Sequence, residues 1–259
     1  MPLKRLRVLM TREEIEPEKL PGATVVILDV LLATTTLLTA FENGARGVYP
    51  VVSLEEADEV GDGLDPSSLL RGGEQDAERI EGYDLGPYPK EYAPEAVAGK
   101  DVVFVTTNGT RAIGSSTGAR ELLLGCLRNA PAVARHLEGS QAESVYVICA
   151  GSAGRFTLED FLGASAILSH LNRDGYLDGW RLNDAAWMAL DFATRYEGRE
   201  FGVLKQSRAG RWFLKNGEIE ELEFVGDVGA SNLVPEVSEG RLRVAQGPRG
   251  GPSPEASAT

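Results

Sequence analysis

Histidine and cysteine are scarce in this chain, with 2 of each in 259 residues. The cysteines, Cys126 and Cys149, have no CxxC spacing and are too few for a disulfide framework. The histidines, His136 and His170, fall in helix-like stretches and read as structural, which argues against a histidine-rich zinc or iron site. Any metal would then be held by carboxylates, and oxygen ligands favour a hard ion such as Mg²⁺. No apolar run approaches the ~20 residues needed to span a membrane. The N-terminal MPLKRLRVLM is basic, but it is too short for a secretory core and no small-residue cleavage site follows. It reads as a first strand, with the bacterial or archaeal cytoplasm as the default address. Positive charge is also in deficit: 26 Lys and Arg against 39 Asp and Glu leave a formal charge of −13. Nucleic-acid binding rests on Lys and Arg neutralising phosphates, so no such partner is expected. Trp180, Trp187 and Trp212 lack the basic neighbours that base stacking would require and are expected to pack.

What is present is an alternation of strand-like and helix-like runs, the signature of an α/β fold. Strands are expected at 5–9, 24–30, 47–52, 101–106, 121–125 and 144–149, and helices at 33–43, 53–60, 130–138, 157–171 and 184–196. Residues 201–207 and 211–225 read as a late hairpin, and 71–92 as a long irregular loop, which in a compact domain is usually functional or disordered. The Gly-, Pro- and Ser-rich end, 245–259, reads as a disordered tail after a single α/β domain over 1–244. The expected architecture is three-layer α/β/α with a mainly parallel or mixed sheet, as one unit or as two lobes with the site in their cleft.

Four strands run directly into loops of small and polar residues. In open α/β sheets, ligands collect at the carboxyl ends of strands, where loops and helix N-termini present free N–H groups. In VVILDVLLATTT a carboxylate, Asp29, ends a core strand and is followed by the hydroxyls of Thr34, Thr35 and Thr36. A buried carboxylate is costly unless paired, hydrogen-bonded or metal-bound. TTNGTRA (106–112) carries Asn108, Gly109, Thr110 and Arg111; a plain strand-ending turn explains it equally well. ICAGSAGRFTLED (148–160) combines Gly151 and Gly154 with Ser152, Arg155, Glu159 and Asp160. The last two are also explained as simple charge complementing a helix dipole. Cys149 and Arg155 match the C-x5-R of cysteine-dependent phosphatases, although a cysteine ending an apolar strand is more often a small buried hydrophobe. Glu74 and Asp84 are candidate ligands in the 71–92 segment.

Taken together these segments resemble the 2-phosphosulfolactate phosphatase family, over about residues 5 to 240. The family pattern DVLRATTT meets Asp29 to Thr36, GERGG meets Gly73-Glu74, EGFDLG meets Glu81 to Gly86, TTNGTRAL meets Thr106 to Ile113, and CAGTxGxFxLEDxLxAG meets Cys149 onward. A later S-x-x-G-x-x-x-L-x-x-x-G spacing falls on Ser207, Gly210, Leu214 and Gly217. The family arginine after DVL is Leu32 here, and the arginine of GERGG falls on Gln75. The resemblance implies a Mg²⁺-dependent hydrolase of a small phosphorylated 2-hydroxy acid, of the coenzyme M and sulfolactate type. It implies metal ligands Asp29, Glu74, Glu159 and Asp160, with Asp29 and Asp160 as the catalytic carboxylates. The substrate would meet Thr34 to Thr36, Asn108 to Arg111, Gly151, Ser152, Gly154 and Arg155. Two other readings stand beside it: a metal-independent phosphatase with Cys149 as nucleophile, and a non-catalytic phosphoester-binding relative. A homodimer is the default assembly.

Overall fold

The computed structural model describes residues 3–76 and 78–245; the expected disordered tail, beyond Ala245, lies outside them. The strands are β1 (Arg5–Leu9), β2 (Thr24–Leu28), β3 (Gly47–Val51), β4 (Leu69–Gln75), β5 (Glu78–Arg79), β6 (Asp101–Val105), β7 (Glu121–Gly125), β8 (Ser144–Cys149), β9 (Arg181–Leu182), β10 (Pro235–Ser238) and β11 (Arg241–Val244). The helices are α1 (Ala33–Glu42), α2 (Leu54–Asp62), α3 (Pro94–Val97), α4 (Gly109–Gly114), α5 (Ala130–Glu138), α6 (Leu158–Leu171), α7 (Asp184–Tyr196), α8 (Glu200–Leu204), α9 (Arg208–Lys215) and α10 (Ile219–Val225).

Two sheets result. The larger runs β11-β10-β7-β2-β8-β1-β9, and the smaller runs β3-β6-β4-β5. In the larger sheet β7, β2, β8, β1 and β9 are parallel, and β10 and β11 join antiparallel at one edge. In the smaller one β3, β6 and β4 are parallel, with β5 antiparallel to β4. Side chains alternate along a strand, and β2 uses both faces: Val26 and Leu28 join one core cluster with residues of α5 and α6, while Val25 and Ile27 join a second with Ala33 and Leu37 of α1. That second cluster also holds Val48, Val102 and Phe104 of the smaller sheet, so α1 and α4 lie between the sheets. On the far face of the smaller sheet Val103 and Val105 pack against Ala57 of α2. The expected α/β/α layering is present, with a second sheet added to it.

Two expectations are corrected. Residues 201–225 form α8, α9 and α10 rather than a hairpin. Ser207 caps α9, its hydroxyl accepting the Gly210 N–H at 2.9 Å, and a capped start commits the following residues to helix. The segment 71–92 is not a long loop at its start, because β4 extends to Gln75 and pairs in parallel with β6. Its glycines belong to that pairing: at Gly73, with φ +117°, an added Cβ would lie 1.9 Å from the Val105 carbonyl oxygen.

Candidate active site

The carboxyl ends of strands from both sheets converge on one cavity of about 550 Å³. Asp29 follows β2, Gly151 to Ala153 follow β8, Glu74 ends β4, and Thr106 to Asn108 follow β6; all of them line it. Three of the four expected loops, those after β2, β6 and β8, therefore meet in the cleft between the sheets, joined by Glu74 of β4, while the loop after β7 lies outside it.

Asp160, in the first turn of α6, is buried and ties two loops together. Its Oδ1 accepts the Val30 N–H at 2.8 Å, and its Oδ2 accepts the Gly151 N–H at 3.0 Å and the Thr157 hydroxyl at 2.7 Å. Glu74 is held similarly: the Thr107 N–H donates to Oε1 at 2.6 Å and the Thr107 hydroxyl to Oε2 at 3.0 Å. The Ala153 N–H donates to Asn108 Oδ1 at 3.4 Å and so joins the loop after β8 to the loop after β6. Glu159 differs from these, since its Oε2 is buried without a hydrogen-bond partner among the described residues. Gly109 brings backbone close to Asp29, where an added Cβ would meet Asp29 Oδ2 at 2.8 Å.

This crowding of acids is electrostatically costly in the free protein. Burial pushes the Asp29 carboxyl up from its ordinary 3.8 to about 7, helped by the charges of Glu74 and Glu159 and partly offset by the amides of Ala33 and Gly109. Burial also pushes Asp160 well up, with Asp29 and Glu159 adding to it. Glu159 is raised by burial too, against the lowering influence of Ser207 and Arg208. The donor set is all oxygen, one buried oxygen is free, and the charge is unbalanced; a hard divalent cation fits such a site. Among the described residues no three His, Cys, Asp or Glu side chains form a ready-made cage. Mg²⁺ suits that arrangement, because it keeps several waters and is usually held by one or two carboxylates together with substrate phosphate oxygens.

Several expected anion contacts are spent inside the protein. Thr34, Thr35 and Thr36 are buried and do not line the cavity; their hydroxyls donate to the carbonyls of Asp29 (2.9 Å), Val30 (2.9 Å) and Pro87 (2.6 Å). Hydroxyls in a first helical turn find nearby carbonyls, and here they shape the turn after β2 instead of meeting a ligand. Thr110 likewise donates to Thr106 at 2.8 Å. Gly109 and Gly154 stand outside the lining, as do the exposed Arg111 and Arg155. The amides of Gly151, Ser152 and Ala153 are already committed, the Ser152 N–H to the Arg155 carbonyl at 2.9 Å. Asp84 is exposed and accepts the Arg71 N–H at 2.8 Å, away from the cavity.

The cation that does line the cavity is Arg208, at the start of α9, which donates from Nη2 to the Ser152 hydroxyl at 2.7 Å. A hairpin over 201–225 would place Arg208 in a turn, whereas the helix α9 brings it to the cavity beside Ser207 of the S-x-x-G spacing. Asp76 was also missed, and Trp212, expected to pack, is 50% exposed at the cavity. Trp187 is 65% exposed elsewhere, whereas Trp180 packs against Tyr176 and lies under Lys4 Nζ at 5.1 Å. His136 is structural, its Nε2 lying 2.7 Å from Glu121 Oε1, and His170 lies outside the cavity. Cys149 is fully buried behind the cavity, and burial, with the charges of Asp160, Glu14 and Glu159, pushes its thiol well up. A nucleophilic cysteine needs the opposite conditions.

Fold and site together define an α/β protein with an acidic cleft at the carboxyl ends of its parallel strands. Residues 9–240 match the family described as 2-phosphosulpholactate phosphatase, and the chain belongs to that family of phosphatases. A protein of Caldanaerobacter subterraneus subsp. tengcongensis named "Probable 2-phosphosulfolactate phosphatase" is 36% identical over 241 residues, covering 93% of this chain and 98% of its own. Proteins of the same name from Symbiobacterium thermophilum and Thermotoga maritima are 37% and 35% identical, covering 87% and 84% of this chain and 95% and 90% of their own.

Proposed function

We propose that this chain is a Mg²⁺-dependent phosphomonoester hydrolase acting on a small phosphorylated 2-hydroxy acid of the 2-phosphosulfolactate type. The observation that carries this reading is a pair of carboxylates at the cavity: Asp29 with its raised proton affinity, and Glu159 with a buried oxygen that has no hydrogen-bond partner among the described residues. The names of the relatives support the same substrate type.

In this reading Asp29 and Glu159 would hold the ion, and Glu74, tied to Thr107, would add its charge beside Asp29. When bound, Mg²⁺ supplies charge neutralisation for phosphate oxygens and polarises water. Asp160, whose oxygens already take three protein donors, positions Asp29 and Gly151 by holding the two loops in place. Arg208 offers a guanidinium fork to an anionic group of the substrate, and Ser152 fixes its direction. Hydrolysis forms a bond from the water oxygen to phosphorus and breaks the bond from phosphorus to the alcohol oxygen. The water proton passes by way of a site carboxylate to the leaving alkoxide, giving the free 2-hydroxy acid and inorganic phosphate. The leucine at position 32 and the glutamine at 75, where the family pattern has arginines, favour one alternative, a binding relative without turnover.

The test is phosphate release with Mg²⁺ from a panel of phosphorylated 2-hydroxy acids, with phosphoserine and a phosphodiester as comparisons. Turnover confined to the 2-hydroxy-acid monoesters is expected. Binding of these compounds without phosphate release would overturn the hydrolase reading in favour of the non-catalytic one.

A further inference from the structure

The cavity has room and surface beyond what a phosphate needs. One wall is apolar: Leu31 and Leu32 from the turn after β2 stand with Pro87, Tyr88, Trp212 and Phe213. The aromatic part of it is ordered by edge contacts, with Tyr88 at 6.0 Å and Trp212 at 5.3 Å from Phe213 between ring centroids. Trp212 is half exposed there, a large indole at a cavity mouth with apolar area still to bury. Against this wall, the charge inventory is one-sided. Arg208 is the one Lys or Arg among the described residues that line the cavity, and it shares that lining with Asp29, Glu74, Asp76, Glu159 and Asp160.

A phosphorylated sulfolactate carries three anionic groups. In the hydrolase reading, the phosphate is met by the metal and one further anion can be met by Arg208. The third would lie against leucine and aromatic side chains without a cation, losing part of its hydration with no pairing in return, which is costly for a charge. An apolar substituent at the same place would bury both its own surface and that of Trp212. Resting on the hydrolase reading, we propose that the cavity selects O-phosphorylated 2-hydroxy acids whose third substituent is apolar or aromatic, in preference to one bearing a sulfonate. Arg208 holds the substrate carboxylate, and the wall of Leu31, Leu32, Tyr88 and Trp212 covers the substituent.

The test separates binding from turnover. Calorimetric titration with Mg²⁺ present would compare two phosphonate analogues, one of phosphophenyllactate and one of phosphosulfolactate, in which a methylene replaces the ester oxygen. The native protein should bind the phenyl analogue at least tenfold more tightly. Trp212→Ala, at a half-exposed position that threatens folding little, should remove most of that preference, and Leu32→Arg should shift it toward the sulfonate. Equal or tighter binding of the sulfonate analogue by the native protein would overturn the proposal, as would no binding of either. A preference unchanged in both variants would place the ligand elsewhere and also overturn it. Selective binding of the phenyl analogue, with no phosphate released from phosphophenyllactate itself, would instead sink the hydrolase reading and leave this specificity standing.

Discussion

Asp29 sits at the end of a core strand where its charge is disfavoured until something neutralises it. Its carboxyl is raised by burial from 3.8 to about 7. Such a group contributes its stabilising share in the protonated form, fully below about pH 4, and that share is lost as pH rises through about 7. In the metal-free protein, Asp29→Asn removes this dependence. The variant is expected to melt a few degrees above the native chain at pH 8 in EDTA, with the gap closing toward pH 4; in a chain of this size ~1 kcal/mol corresponds to about 2–4 °C. Its hydrolytic rate should fall by at least about a hundredfold, ~2.7 kcal/mol of lost transition-state stabilisation. Melting curves across that pH range and phosphate release settle both halves. An Asp29→Asn variant with native turnover would leave this carboxylate only a structural role. Asp29 was legible in the sequence because a carboxylate at the end of a β-branched run has few explanations. The threonines after it were misleading, since their hydroxyls report equally on phosphate binding and on bonding to nearby carbonyls, and here the second won.

At the scale of elements, β4 is the strand that brings Glu74 to the cavity, and Gly73 lets it do so. With φ at +117° and the Val105 carbonyl in the space of a Cβ, this position rejects any side chain on both counts. Gly73→Ala should cost more than about 1 kcal/mol of stability and should reduce activity by more than tenfold as Glu74 and its Thr107 contacts shift. Denaturant unfolding and turnover of the same preparation would measure this; native stability and native rate together would show that β4 does not set the site. Strands β7 and β8 and helix α5 coincide with their sequence spans because burial imposes clean hydrophobic patterns on them, and α7 does so behind an Asn183 cap that accepts the Ala186 N–H. β4 (LLRGGEQ) was illegible for the opposite reason: it carries glycine, arginine and acid where a strand usually shows β-branched residues. The helices α8 to α10 were lost because their mixture of aromatic and charged residues fits a two-sided strand as well as a short amphipathic helix. That difference conceals Arg208, the cation that lines the cavity.

As a whole molecule, the chain sets two parallel-stranded sheets side by side, with α1 and α4 between them, and aims the carboxyl ends of both into one cleft. No helix among the described residues is long and apolar enough to cross a membrane. The alternating pattern of the sequence predicted the layers; that the strands divide between two sheets was not legible, since pairing between distant strands leaves no local periodicity. Among the described residues the cleft is lined by five carboxylates and one arginine, and the amides of Gly151 and Ser152 bond within the protein. In the proposed reading a phosphate enters such a cleft together with a compensating cation. The direct measurement is phosphate release from a phosphorylated 2-hydroxy acid by protein stripped in excess EDTA, and again after Mg²⁺ is returned. Stripping should lower turnover by at least about a hundredfold, and returned Mg²⁺ should restore it. Undiminished turnover in EDTA would contradict a metal-dependent hydrolysis.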